Sequence, residues 1–214
     1  REWFVHLRFP GHEHVKVVDG LPKGWARACA SDVMDVLSGG TPKTSTASFW
    51  DGEIPFFTPK DATGTPYVLA TEKAITVDGL RSCNSQLYPP GTLFITARGT
   101  VGKLNLALVP MAMNQSCYAL RSKCHIGQRY MYLALKAAMQ QIQATATGAV
   151  FDAIIVATFD RIRLLLPPQR ITDEFALHIE PMFDQIANLV RQNQGLAEAR
   201  DLLLPRLMSG AIAV

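Results

Sequence analysis

Between Ile179 and Leu207 the chain places Ile179, Met182, Ile186, Leu189, Asn193, Leu196, Arg200, Leu203 and Leu207 at alternating steps of three and four residues. That period keeps one edge of an α-helix against a second helix over many turns. The tract reads as a coiled-coil seam, with Met182, Ile186, Leu189, Asn193, Leu196 and Leu203 as its helix-pairing positions. Asn193 is the polar member, the kind that fixes register at some loss of stability. A seam longer than three heptads exceeds what a small domain needs, so a partner helix is expected to cover it. Pro167-Pro168 should open the helical tract and Ser209-Gly210 close it. Pro181 is expected to divide it into a short helix and a longer one, because its ring clashes with the preceding turn.

The chain before this tract has a different pattern. Short apolar runs alternate with Gly, Pro, Asn and Asp, and 93–95, 104–109, 154–156 and 162–166 read as strands. Residues 127–143 lack proline and carry Met131, Leu135, Met139 and Ile142 at helical spacing, which predicts a helix. The first 24 residues run from Trp3, Phe4 and Phe9 through Pro10-Gly11 to Pro22-Lys23-Gly24. They read as the end of an element followed by a linker. The expected division is 1–24, a mixed α/β (α+β) domain over 25–166, and a long helical segment over 167–214.

Charge is informative only when divided along these segments. The net +3 resolves into balance over 1–40, +5 over 41–166 and −2 over 167–214. A positive middle segment suits a polyanion, although a solvated surface produces the same count. A hydrophobic content of 48% with 18% charged residues argues for a folded chain. No stretch has the apolar length of a membrane span, and the longest, 153–159, is a buried strand at most. Cys29, Cys83, Cys117 and Cys124 form no CxxC pair, so free thiols in a reducing compartment are expected. Cys117, Cys124 and His125 lack the spacing of a metal site. The chain opens at Arg1 without a basic and apolar leader, which predicts a piece of a cytoplasmic protein.

Chemistry-bearing patterns fail one by one. Ala97-Arg98-Gly99-Thr100-Val101-Gly102-Lys103-Leu104 approaches a phosphate-binding P-loop, but that motif needs glycine at Ala97 and a hydroxyl at Leu104. Gly99 and Gly102 read instead as turn glycines that expose Arg98 and Lys103. There is no GxSxG, and the histidines do not pair with a nucleophile. Asp152, Asp160 and Asp173 lack the spacing of paired carboxylates or of a metal site. A glycine-rich turn for a dinucleotide or S-adenosylmethionine is missing, as is the Asn/Asp-Pro-Pro-Tyr/Phe motif of adenine methyltransferases. Tyr88-Pro89-Pro90 runs the opposite way. A binding protein is expected, with no catalytic residue, metal or cofactor of its own.

Several stretches in order resemble the specificity subunits of type I restriction–modification systems. Trp3-Phe4-Val5 through Arg8-Phe9-Pro10-Gly11 is similar to the end of the family's central conserved helix. Leu21-Pro22-Lys23-Gly24-Trp25 resembles the start of a target recognition domain. Gly39-Gly40-Thr41-Pro42-Lys43 and Phe49-Trp50-Asp51-Gly52-Glu53-Ile54-Pro55 look like its opening signature. Thr96-Ala97-Arg98-Gly99-Thr100-Val101-Gly102, Asn114-Gln115-Ser116, Gly148-Ala149-Val150-Phe151 and the ending 200–210 follow in the family's order. Each is weak alone, and together they cover nearly the whole chain.

The resemblance implies a non-catalytic, DNA-binding chain that reads one half of a split target in double-stranded DNA. It implies three partners: adenine-modifying methyltransferase subunits, a motor-nuclease subunit reached through the complex, and a sister helix from another specificity half or a second copy. An assembly module with little sequence readout is the alternative. In a DNA reader, Lys and Arg hold phosphates while Arg, Asn and Gln reach base edges. The candidate contacts are Lys43, Lys60, Arg81, Arg98 and Lys103, supplemented by Thr41, Thr58 and Asn84. Asn114-Gln115 suits either a base reader or, the favoured reading, buried amide support of a loop.

Overall fold

The computed structural model describes residues 1–145 and 153–212. In chain order its elements are β1 (Val17–Val18), β2 (Leu21–Pro22), β3 (Ala26–Cys29), α1 (Ala30–Val33), β4 (Met34–Ser38), β5 (Trp50–Phe57), β6 (Tyr67–Val68), β7 (Ala74–Ile75), α2 (Val77–Arg81), β8 (Leu93–Thr96), β9 (Leu104–Ala107), β10 (Ala112–Met113), β11 (Cys117–Ser122), α3 (Gln128–Thr145), β12 (Arg163–Leu166) and α4 (Gln169–Met208). The class is mixed α/β with a long C-terminal helix, as the sequence pattern predicts.

The central sheet has the order β4-β11-β8-β9-β6, antiparallel except for the β6–β9 pair. Both its faces are covered, which is why β8 is apolar at successive positions instead of alternating. Leu93 and Ile95 point to one face, where Leu104, Leu106 and Leu120 meet Met131, Leu135 and Met139 of α3. Phe94 points to the other face, among Phe57, Met111, Met113 and Ala119. A smaller sheet, β10-β5-β7, packs Phe56, Ile75 and Ala112 together. β3 and β12 form a separate antiparallel ladder in which Ala26 faces Leu166.

One expected strand is not one. Ile154 is buried and donates its N–H to the Ala97 carbonyl at 2.8 Å, but residues 156–158 wind into a 3-10 turn. Ile155 and Val156 are 56% and 51% exposed, so the run contributes one inward side chain rather than a sheet face. The segment 1–24 is more than a linker. Phe4 packs edge-on against Phe175 and Tyr130, Trp3 lies 5.2 Å from Phe175, and Phe9 packs on Trp25.

Pro181 does not divide the C-terminal tract, since α4 is continuous from Gln169 to Met208. Proline removes one backbone donor, but Ile179 and Phe183 on either side are buried in the main core and hold the turn in place. Ile171, Ile179, Phe183 and Ala187, with half-buried Phe175, recur every four residues along the face that meets the domain. Past Val190 no residue of α4 is buried. The helix stops where the sequence suggests, with Ser209 as its C-cap and Gly210 at φ 72°. Among the described residues no helix is long and apolar enough to cross a membrane.

Candidate nucleic-acid interface

Five backbone segments meet where β4, β5, β8 and β10 end and β11 begins. Glycines make the meeting possible. A Cβ on Gly39 would lie 2.1 Å from the Asn114 carbonyl oxygen, and one on Gly40 would lie 2.6 Å from the Asn84 nitrogen. Only residues without side chains let segment 39–43 press this closely against both neighbours. Hydrogen bonds then join the segments. Gly40 N–H reaches the Met113 carbonyl at 3.2 Å, Asn114 N–H the Phe57 carbonyl at 3.0 Å, and Ala97 N–H the Ser116 carbonyl at 2.8 Å. The Thr100 hydroxyl donates to the Pro59 carbonyl at 3.3 Å. Ser85 Oγ accepts from Met113 N–H at 3.0 Å, and the Thr41 hydroxyl donates to the Gln115 side-chain oxygen.

Most of the sequence-derived contact residues stand on this rim. Lys43, Asn84 and Arg98 are exposed, and Thr41 is half-buried with its hydroxyl turned to Gln115. Lys103 is exposed at the far end of the turn that begins at Arg98, where Gly99 and Gly102 have φ of 80° and 84°. Among the described residues Lys43, Arg98 and Lys103 form no ion pair, so their charges face solvent uncompensated. The other candidates are committed locally. Thr58 donates both its N–H and its hydroxyl to Asp61 Oδ2, at 2.8 and 2.7 Å. Lys60 lies 3.9 Å from Glu72, and Arg81, at the end of α2, lies 3.6 Å from Asp78. Asp61 also accepts from Glu72 N–H at 2.7 Å, so its carboxylate is spent on shaping the loop.

The structure splits the Asn114-Gln115 pair. Asn114 is half-buried and accepts from Ser116 N–H at 3.0 Å, which makes it the loop support the sequence suggests. Gln115 is exposed beside Thr41, so the buried support favoured for the pair does not hold for it and the base-reader alternative stays open there. The available signal was a polar triplet between the buried runs 111–113 and 117–120. Beneath this loop Cys117 is fully buried, and burial pushes its thiol up to about 12, so it stays protonated and inert. His125 Nε2 meets the Pro167 carbonyl at 3.1 Å rather than the cysteines. Among the described residues no group of three or more His, Cys, Asp or Glu is arranged around a metal position. Asp152 and the Gly148-Ala149-Val150-Phe151 stretch lie outside the described residues.

The second feature is the outer edge of α4. Met182, Leu189, Leu196 and Leu203 stand seven residues apart and are 64%, 44%, 68% and 47% exposed. Ile179 and Ile186 of the same seam lean into the domain. At about 100° per residue the seam lies roughly 80° around the helix from the buried face, so the two faces adjoin without coinciding.

Comparison with known proteins gives concordant matches. The family model described as type I restriction modification DNA specificity domain matches residues 22–196. The type I restriction enzyme MjaIX specificity subunit of Methanocaldococcus jannaschii is 26% identical over 178 residues, covering 81% of this chain and 41% of the relative. The HindI specificity subunit of Haemophilus influenzae is 26% identical over 195 residues, covering 90% and 42%. Among solved structures, the HsdS subunit from Thermoanaerobacter tengcongensis is similar with a TM-score of 0.56 at 21% identity, covering 90% of this chain and 47% of that one. The type I S subunit from M. genitalium gives 0.59 at 16% identity, covering 91% and 48%. The chain thus spans less than half the length of these relatives.

Proposed function

The chain belongs to the type I restriction modification DNA specificity domain family, and on that premise we propose that residues 25–166 read one half of a split DNA target. The observation that carries this reading is the convergence of loops bearing Lys43 and Arg98 without acidic partners, next to Thr41, Asn84 and Gln115, with Lys103 exposed at the far end of the Arg98 turn. The lysines and arginine hold backbone phosphates, which contribute affinity that falls with salt. Asn84 and Gln115 offer amides to base edges, where such groups suit adenine. The chain supplies recognition and no chemistry of its own. Methylation and cleavage belong to methyltransferase and motor-nuclease partners.

Residues 167–214 act as the spacer. In this reading the exposed seam pairs with a sister helix, from another specificity half or a second copy, and docks the methyltransferase subunits. Lengthening α4 by whole heptads then lengthens the unread spacer of the target while the bases read stay the same.

The deciding experiment is co-expression with the neighbouring methyltransferase subunit, followed by mapping of methylated adenines across the genome. A split motif that disappears without this chain is expected. Absence of any new motif, together with failure to co-purify with the methyltransferase, overturns the reading. The exposed seam also favours a second reading, an assembly module with little readout. Replacing residues 25–166 by another recognition domain separates the two, because only a reader changes the modified site.

A further inference from the structure

Arg129, the second residue of α3, reaches across to α4. Its guanidinium donates to the Glu180 backbone carbonyl at 2.9 Å, to the Glu180 carboxylate, and to Asp184 Oδ1 at 2.5 Å. The Phe183 ring lies 5.5 Å from its central carbon, and Phe183 packs edge-on against Tyr67 and Tyr132. The Arg129 side chain is only 20% exposed, so the guanidinium is shielded although its carboxylate partners, at 48% and 65%, are not. Among the described residues these are the only ion pairs that join α4 to the rest of the chain.

The bonds fall on both sides of Pro181. Proline has no N–H to give to the Leu177 carbonyl, so this turn, like the one at Pro205, lacks a backbone bond that would resist bending. Glu180 lies just before the weak point, and Phe183 and Asp184 just after it. One planar guanidinium therefore spans the proline turn and, together with the buried Ile179, Phe183 and Ala187, holds its angle.

We infer that Arg129 is a positioning residue that sets the direction of α4 at Pro181, and with it how strictly the spacing of the two DNA half-sites is enforced. The inference rests on the spacer reading of α4. Its leverage is geometric: from Pro181 to Met208 the helix extends about 40 Å, so a bend of about 5° moves the far end by about 3.5 Å, close to the rise of one base pair. The partners of Arg129 are Glu180, Phe183 and Asp184, none of them a seam residue or a residue of the loop rim. Loss of the Arg129 contact should therefore change spacing and leave the bases read alone.

The test uses this chain co-expressed with its methyltransferase subunit and mapped by adenine methylation. Unaltered protein should methylate a split motif with one spacer length. Arg129→Met should retain the same bases while a second spacer, one base pair longer or shorter, accounts for at least about a tenth of methylated sites. Arg129→Lys, which keeps the charge but not the planar fork, should fall between. If Arg129→Met yields no folded protein, Asp184→Ala removes one of the bonds and carries the same expectation. A single unchanged spacer in the folded variants, or a change in the bases themselves, overturns the inference. If the unaltered chain directs no split motif, the DNA-reading proposal fails first.

Discussion

The loop rim of the domain and the outer half of α4 are both exposed, yet they are exposed in opposite ways. On the rim, segments distant in sequence are tied to one another through backbone carbonyls, two crowded glycines and the Thr41–Gln115 contact. Its backbone frame is held in place before any ligand arrives, with Lys43, Asn84 and Arg98 exposed upon it. Beyond Val190, α4 has no buried residue among the described residues and keeps its leucines exposed. Most helical stability in proteins comes from packing one face, so this half takes its stability from whatever covers the seam. In the proposed reading the rim receives a rigid polyanion and the helix an apolar partner.

The largest effect should come from the seam. Leu196→Lys with Leu203→Lys should weaken helix pairing and methyltransferase co-purification by at least about 100-fold, roughly 3 kcal/mol. The melting temperature of the isolated chain should move by no more than about 1 °C, because both sites are exposed. A drop of several degrees would show that the seam already packs on its own domain, and the contrast would collapse. Next in size is the rim. Gly39→Val places its new atoms in the Asn114 and Met113 carbonyls and should reduce stability by about 2–4 kcal/mol in denaturant titration. Gly64→Ala meets open space and serves as the control, expected within about 0.5 kcal/mol.

Alkaline pH should act on the domain alone. The Cys117 thiol ionises near 9 when unfolded and near 12 when folded, so the unfolded chain releases a proton that the folded one retains. Stability is therefore intact below pH 9 and falls by up to about 1.4 kcal/mol per pH unit between 9 and 12. Burial also raises Tyr67, Tyr88 and Tyr130, in the same direction at higher pH. Cys117→Ala should flatten the first part of that decline, and residues 191–212 contain no Cys or Tyr to contribute. The smallest effect is a single phosphate contact. Arg98→Gln should weaken DNA binding by a few fold at low salt and lower the slope of log affinity against log salt by about 1, without changing the preferred sequence. A variant that changed the preferred base would instead make Arg98 a reader.

Elements governed by periodicity were legible in the sequence. The long helix, α3, β8, β9 and β12 follow from apolar spacing and proline or glycine stops. What could not be read depends on contacts distant in sequence. β5 (Trp50–Phe57) contains Gly52 and Pro55, which argue locally against a strand, and it forms because Gly52 lies against Ile75 and Thr76 of the neighbouring segment. Ile154 looks like part of a strand because its neighbours are apolar, although only its own side chain turns inward. Pro181 follows a local rule that tertiary packing at Ile179 and Phe183 overrides. The candidate rim was legible as a set of residue types, and its convergence was not. Nothing local to Thr41 indicates that Gln115 stands beside it.

The ladder between β3 and β12 sets an order in time. Ala26 faces Leu166, so the two strands bracket nearly the whole domain, and their pairing must await synthesis of the later one. Closing so long an unstructured loop costs on the order of 4 kcal/mol, whereas a chain already folded between those strands has most of that loss behind it. The ladder should therefore zip last, once the sheet and α3 have collapsed around it. The seam leucines follow β12 in the chain and leave the ribosome after every strand the domain needs. This exposed apolar surface thus emerges only after the strands it could have trapped have all been synthesised.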